Sequence, residues 1–381
     1  MQMTTDPKPT PPRDPPPVPV ATVRGARGDS PIYIGRGLLA RAGAIAAGSA
    51  PGRRALVATD SNVGPLHLAP LLASLRSAGF EAAAHTIPAG EASKRLSELE
   101  RLWGALHAAG ITRADLVVAL GGGVVGDLAG FAAATWLRGV AVMQVPTSML
   151  AFVDSSIGGK TAIDLPFGKN LAGAFHQPVA VVGDPDVLRT LPPREFAQGM
   201  AEAVKTACIA DEGLLSLLRA VAGRAPTPEE TERIVAGCAR IKADVASRDE
   251  REGGLRMILN FGHTVGHAIE KVLGYGAVPH GEAVAVGMVA AARLGERLGE
   301  TPAGTADALA DLLARLSLPV RVADLPGGAA ACAPDALAAA MLADKKKLGA
   351  RLHFVLLEGW GRAKVVPMDP AEVRDALPAI L

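Results

Sequence analysis

Aromatic residues are scarce in this 381-residue chain: eight Phe, three Trp and two Tyr, 3% of the whole. Proteins that bind single-stranded nucleic acid stack bases on such rings, so that class is disfavoured from the outset. An excess of either charge is also missing, because 39 Lys and Arg face 38 Asp and Glu for a formal net charge of +1. Nothing therefore steers the chain to a polyanion or an anionic lipid surface. Cysteines are few (Cys208, Cys238 and Cys332), odd in number and far apart. Such spacing suits neither a disulfide framework nor a cysteine-type zinc site, and implies buried thiols in a reducing compartment. Long apolar runs are lacking too: Leu116 to Leu137 is interrupted by Gly121, Gly122, Gly123 and Asp127. No basic-then-apolar leader opens the sequence. The expectation is a cytoplasmic protein with no membrane and no nucleic acid among its partners.

Apolar residues nonetheless make up 49% of the chain, enough at this length for two domains with their own cores. Residues 1–20 stand outside that scheme. Pro7, Pro9, Pro11, Pro12, Pro15, Pro16, Pro17 and Pro19 crowd there with almost nothing large to bury, which reads as a disordered, polyproline-like extension. From residue 21 to about 190, short apolar runs alternate with helical stretches such as Ser93 to Ala108. The runs are Arg54 to Asp60, Ala82 to Ile87, Asp115 to Leu120 and Val140 to Val145. This cadence predicts a largely parallel sheet with helices on both faces. From 191 to 381 helices dominate, over 194–221, 228–249, 255–273, 281–298, 304–316 and 334–343. A hairpin-like pair (352–357 and 363–366) and a terminal helix follow. The expected architecture is an α/β nucleotide-binding half, a mainly helical half and a cleft between them.

The chemistry-bearing residues cluster in a few places. Between Leu255 and Leu273, Ile258, Leu259, Val265, Ile269 and Val272 form an apolar stripe, leaving Asn260, His263 and His267 on the other flank of one predicted helix. Two imidazoles one turn apart can chelate a metal, though an isolated pair is as often one packed and one solvated histidine. The run from Leu116 to Asp127 reads as a buried strand, a triple-glycine turn and a helix start. Free N–H groups at such a turn receive phosphate. The run departs from the G-x-G-x-x-G fingerprint, so a tight turn with close packing is its bland alternative. Asp60 and Asn62 close one strand, and Glu91 and Lys94 another, at the sheet edge where ligands collect. Arg138, Asp154, Lys160, Lys169 and Asn170 fall in a glycine-punctuated stretch that reads as loop, suited to holding a small polyanion or simply solvated. Ser155 to Thr161 lacks the spacing of a phosphate-binding loop, which excludes a nucleoside triphosphatase. Glu202 and Lys205 lie three apart on a helix, ordinarily a surface pair of little value, but Met200, Ala201, Ala203 and Val204 around them are apolar. Lys242, Glu252 and Arg256 lead into the histidine-bearing segment.

Taken in order, Gly121-Gly-Gly-Val-Val-Gly-Asp127, Val145-Pro-Thr-Ser148, Val153-Asp-Ser-Ser-Ile-Gly-Gly-Lys-Thr161, Gly168-Lys-Asn-Leu171, Gly199-Met-Ala-Glu202 with Lys205, and Leu259-Asn-Phe-Gly-His263 with His267 resemble the 3-dehydroquinate synthase family. The resemblance spans residues 21–381. It implies a Rossmann-like parallel sheet followed by a mainly α-helical domain, a homodimer, NAD used catalytically and a divalent metal, usually zinc, with cobalt as the alternative. The implied metal ligands are Glu202, His263 and His280, which moves His267 from metal ligand to a proton-transfer role beside the substrate. The implied NAD contacts are Asp60, Asn62, Glu91, Lys94, Gly122, Gly123, Val124, Asp127, Thr147, Ser148, Lys160, Lys169 and Thr190. The implied substrate pocket holds Arg138, Asp154, Lys160, Asn170, Lys205, Lys242, Arg256, Asn260 and His267, with Lys345 or Lys346 completing it. Within these sets His267, Lys205, Lys160, Asn170 and Glu252 are the implied catalytic groups. The implied reaction is transient oxidation of a heptulosonate phosphate, elimination of phosphate, reduction and intramolecular aldol closure. Rival readings are a cyclase whose substrate lacks a carboxylate, which would leave Lys242 and Arg256 without a partner, a metal-dependent polyol dehydrogenase, and a non-catalytic NAD sensor.

Overall fold

The computed structural model describes residues 17–26, 28–345 and 351–381. Its strands are β1 (Ala21–Gly25), β2 (Gly28–Ile34), β3 (Arg54–Asp60), β4 (Glu81–Ile87), β5 (Leu116–Gly121), β6 (Ala141–Pro146), β7 (Lys160–Leu165), β8 (Gly168–Phe175), β9 (Ala180–Gly183), β10 (Leu352–Gly359) and β11 (Arg362–Met368). The helices of the first half are α1 (Ala42–Ser49), α2 (Ala69–Ser77), α3 (Leu96–Ala108) and α4 (Gly123–Thr135). Those that follow are α5 (Pro193–Ala210), α6 (Glu212–Val221), α7 (Pro228–Arg248), α8 (His263–Leu273), α9 (His280–Arg297), α10 (Thr305–Arg315), α11 (Gly328–Ala331), α12 (Pro334–Lys345) and α13 (Pro370–Ile380).

Strand β5, Leu-Val-Val-Ala-Leu-Gly, is buried along its whole length, as a parallel strand covered on both faces must be. It sits inside a seven-stranded sheet of order β1-β2-β9-β6-β5-β3-β4. Every neighbouring pair is parallel except the β1–β2 hairpin. The chain steps from β3 out to β4 and then returns to β5 on the other side of β3. The carboxyl ends of β3 and β5 therefore flank a topological switch point, where ligands of open α/β sheets bind. Asp60 ends β3 there, and Gly121 and Gly122 lead directly into α4.

Three expectations need correction. The stretch expected to be loop after Arg138 contains the antiparallel hairpin β7–β8, whose Gly168-Lys-Asn-Leu-Ala-Gly-Ala-Phe strand has too few β-branched residues to announce itself. The predicted helix 194–221 is two helices, because Asp211 is extended and its carboxylate caps α6 by accepting from Leu214 N at 2.8 Å. The predicted helix 255–273 is a 3₁₀ segment (Leu255–Asn260) followed by α8, separated at Gly262, whose φ of 81° is left-handed. Asn260 is thus not on the helix flank that carries His263 and His267.

The main apolar core runs without interruption from Ile32, Leu71 and Val118 through Met149 and Phe152 to Val204, Leu215 and Val289. A second cluster lies under α8, α12, α13 and β10, and a third fills the space between α3, α4 and the sheet. All three cysteines are buried. Among the described residues no helix is long and apolar enough to cross a membrane.

Candidate active site

Close backbone approach, rather than side-chain reach, brings the three richest helices together. A Cβ placed on Gly281 of α9 would stand 2.3 Å from the Gln198 carbonyl oxygen of α5. One placed on Gly287 would stand 2.0 Å from the Gly262 carbonyl oxygen at the start of α8. Bare glycine backbone lets α9 rest directly on both neighbours. In consequence one donor atom each from Glu202 (α5), His263 (first residue of α8) and His280 (first residue of α9) lie within 4.8 Å of one another. Glu202 Oε1 is 3.6 Å from His263 Nε2 and 3.5 Å from His280 Nε2.

This carboxylate is 0% exposed, and its Oε1 has no hydrogen-bond partner although two imidazole nitrogens face it. The other faces of both rings are engaged. His263 Nδ1 donates to the Phe261 carbonyl at 3.2 Å, and His280 Nδ1 to Glu270 Oε2 at 3.3 Å. Each ring thereby presents its Nε2 lone pair to the same point, which is the arrangement of a histidine that ligates a metal. Electrostatics set the two rings apart. Burial pushes His263 down to about 3. Burial also opposes charge on His280, but the Glu202 and Glu270 carboxylates facing its two nitrogens outweigh it and carry the imidazole up to about 10, so a cation bound at Nε2 would take the place of a proton. Burial works against the Glu202 anion as well, yet the Lys205 ammonium and the two histidines hold its pKa well below the carboxylate range. A buried anion that draws this much positive charge, flanked by two open nitrogens, fits a divalent cation held by one carboxylate and two imidazoles.

Cations surround this point. Lys205 Nζ pairs with Glu202 Oε2 and stands 3.8 Å from Asp154 Oδ1. Asp154 projects from a π-turn, Ala151–Ser155, a local widening common at functional sites. Its backbone carbonyl accepts from Lys242 Nζ at 2.6 Å, and its Oδ1 pairs with the same ammonium. Burial drives Lys242 down to about 8 against the pull of Asp154. Arg256 is buried too and donates to the carbonyls of Glu250 (2.8 Å) and Gly158 (3.2 Å). Glu252 pairs with Lys160 and accepts from Asn260 Nδ2 at 3.1 Å. The His267 ring centroid is 5.2 Å from that of His263 and 5.8 Å from that of His280. The pair Glu202–Lys205 is therefore no surface pair: it sits in the interior, beside the proposed cation.

A second group of predicted residues gathers at the switch point. Lys94 is buried, pairs with Asp127 Oδ2 at 2.5 Å and donates to Asn170 Oδ1. Lys169 stands 3.3 Å from Glu91 and 3.9 Å from Glu270. Asp60 Oδ1 accepts from the backbone N–H groups of Asn62 and Val63 at 2.8 and 2.9 Å, shaping the turn after β3. Ser148 lies against Gly122, where a Cβ would meet its Oγ at 3.1 Å, and Thr147 N donates to Gly121 O. Gly123 and Val124 open α4, and Thr190 is bonded to His67 at 2.9 Å on the β3 side.

One predicted position is not brought in. Arg138 lies past the far end of α4, about 20 Å along that helix from Gly123 by helical rise, in a cleft lined by Tyr33, His176 and Gln177. Lys346 is outside the described residues, and Lys345 ends α12 at their edge. One residue was missed. Glu270 is 4% exposed and bonded to His280, but in the sequence it is one glutamate on an amphipathic helix. Its offset of three from His267, beside the buried Ile269, was the available signal.

The 3-dehydroquinate synthase N-terminal family matches residues 84–198, and the 3-dehydroquinate synthase C-terminal family matches residues 199–347. The chain is 49% identical to a 3-dehydroquinate synthase of Symbiobacterium thermophilum, covering 92% of this chain and 97% of that protein. It is 48% identical to one of Paracoccus denitrificans, covering 91% and 95%. Among solved structures, 2-deoxy-scyllo-inosose synthase complexed with carbaglucose-6-phosphate, NAD+ and Co2+ superposes with a TM-score of 0.83 at 28% identity, over 94% of this chain and 99% of that one. The 2-epi-5-epi-valiolone synthase of Streptomyces hygroscopicus, with NAD+ and Zn2+ bound, gives 0.82 at 27% over 92% and 96%. A probable glycerol dehydrogenase of Sinorhizobium meliloti, at 20% identity over 92% and 96% with a TM-score of 0.62, shares the fold.

Proposed function

The chain belongs to the 3-dehydroquinate synthase family, and from that premise we propose how its own residues carry the family's reaction. That reaction converts 3-deoxy-D-arabino-heptulosonate 7-phosphate to 3-dehydroquinate and phosphate, a carbon–oxygen lyase step of the shikimate pathway to aromatic amino acids. The substrate is a sugar acid with an anion at each end, and the site offers cations for both.

Glu202, His263 and His280 hold the divalent cation, zinc or cobalt. Asp60, Asn62, Glu91, Lys94, Asp127, Thr147, Ser148, Lys169 and Thr190, with Gly122, Gly123 and Val124, hold NAD across the switch point. Bound NAD supplies an acceptor and donor of hydride within one turnover, and the bound cation supplies Lewis acidity to the substrate hydroxyls. Everything else falls to the side chains. The Arg256 guanidinium, fixed by two backbone carbonyls, directs its remaining donors at the substrate carboxylate, with Lys242 beside it. Lys160, Lys205, Asn170 and His267 hold the phosphate, whose own oxygen accepts the proton released in elimination. Asp154 sets the spacing of Lys205 and Lys242. Glu252, held by Asn260, keeps Lys160 oriented until the substrate enters. The α/β part, 21–190, carries the cofactor contacts, and the part from 191 to 381 carries the metal ligands. The enzyme works as a homodimer in the cytoplasm.

The observation that carries this reading is the convergence of three metal-type donors on one point beside three buried cations, Lys205, Lys242 and Arg256. A polyol dehydrogenase needs the former and not the latter. With zinc, a trace of NAD+ and the heptulosonate phosphate, phosphate release should exceed the NAD+ present many times over. Stoichiometric, lasting NADH absorbance in its place would overturn the cyclase reading.

A further inference from the structure

Glu270 has no part in the scheme above, yet its placement is specific. It lies on α8 below His263, and its two oxygens face different partners. Oε2 accepts from His280 Nδ1 at 3.3 Å, and Oε1 is 3.9 Å from Lys169 Nζ. Lys169 itself stands over the Tyr275 ring, 5.1 Å from the centroid, and reaches Glu91. We infer that Glu270 is a positioning residue of the metal centre: it fixes the ring of His280 with Nδ1–H toward itself and Nε2 toward Glu202, and it anchors that ring to Lys169 on β8.

Contrast between the two histidines supports this. The His263 ring is fixed by a backbone carbonyl two residues away, an acceptor that comes with the turn. His280 is the first residue of α9 after Pro279, and among the described residues its Nδ1 is held by the Glu270 side chain rather than by a backbone group. If Glu270 did not accept there, the ring could rotate about its χ angles and the tautomer would be free. A carboxylate on the outer nitrogen of a ligating histidine also raises the basicity of the inner one, and losing such a partner costs about 10–100-fold in metal affinity. The link to Lys169 gives the arrangement a second consequence. The same carboxylate faces a proposed metal ligand, His280, and a proposed cofactor contact, Lys169, so the two share one fixed point.

The inference rests on Glu202, His263 and His280 being the metal ligands, and the test separates the two claims. Zinc affinity is measured by competition with a chelator for the wild type, Glu270→Gln, Glu270→Ala and His280→Ala, and the Co2+-substituted proteins are examined by visible absorption. Glu270→Gln preserves shape, so it keeps the test sharp if Glu270→Ala fails to fold. Expected are a 10–100-fold weaker zinc Kd in Glu270→Gln, a shifted Co2+ ligand-field band, and a larger loss in His280→Ala. If His280→Ala binds zinc as tightly as the wild type, the ligand assignment falls. If His280→Ala loses zinc while Glu270→Gln keeps both the wild-type Kd and the wild-type Co2+ spectrum, the role of Glu270 alone is overturned. A second zinc equivalent in the wild type that vanishes in Glu270→Gln, with the first unaffected, would also overturn it by making Glu270 a ligand in its own right.

Discussion

Lys242 shows what burial does to a single charged group here. Its ordinary value of 10.5 falls to about 8 because desolvation outweighs the attraction of Asp154. Between those two values the unfolded chain retains a proton at this site that the folded chain has released. The cost of burying the ammonium is thus fully present below about pH 8, and stability gains from this residue as pH rises through that window. Substrate binding runs the opposite way, since only the ammonium attracts a carboxylate. The basic limb of kcat/KM should therefore fall through about pH 8, mainly by a rising KM, and Lys242→Met should be slower at every pH and lack that limb. An unchanged limb in the variant would refute the assignment. At the metal side, His263→Ala should bind zinc more than about 100-fold more weakly, a larger loss than removing an outer partner, and lose turnover while its far-ultraviolet circular dichroism stays native. A variant that keeps full zinc after dialysis would contradict the ligand set. Residue identity made these groups visible in the sequence, but not their partners. The lysine and the histidine could be named, whereas Glu270 resembled any solvent-facing glutamate until the fold set it against His280.

Helix boundaries were legible wherever the stop and start signals are local. Helix α7 spans Pro228–Arg248, close to the 228–249 expected, and Thr227 with Glu230 forms a capping box at its start. Where a break depends on one residue inside an otherwise helical pattern, the sequence reads through it, as at Asp211 and Gly262. That second break matters most. A continuous helix would have put Asn260 on the flank of His263, whereas the left-handed turn frees Asn260 to orient Glu252. Helix proximity was not legible at all, because glycines in a helix pattern look like weak helix formers rather than contact points. Gly287→Ala tests that contact. With its Cβ 2.0 Å from the Gly262 carbonyl, α8 and α9 must separate, which should cost about 1–3 kcal/mol in urea unfolding and weaken zinc binding together. Loss of stability with an unaltered zinc Kd would show that the helix contact does not set the ligand geometry.

At the scale of the molecule, composition and cadence gave the two-part architecture, but not the strand order. Strands β1 and β9 are short, and β2 holds Gly28 and Pro31, residues that strand patterns avoid, so only the folded sheet shows that β3 and β5 are adjacent. The main core crosses from the sheet into α5, α7 and α9 without a gap, so one cooperative thermal transition is expected rather than two. A ligand that binds only the native form stabilises it, so zinc and NAD should each raise the unfolding midpoint, by an amount equivalent to about 2.7 kcal/mol at 100 times its Kd. Scanning calorimetry that resolves two separable transitions, only one of them sensitive to a chelator, would contradict that continuity.

Helix α5 straddles the border between the two family matches, and Gly199, at its near side, is wedged so tightly that a Cβ would lie 2.4 Å from Leu150 N. Glu202 follows within one turn. A gene split at that border to make two complementing fragments would sever the strut that aims the carboxylate, so the helical fragment would keep every donor and still chelate poorly. A permissive nick has to be sought elsewhere, in a surface turn that bears no ligand.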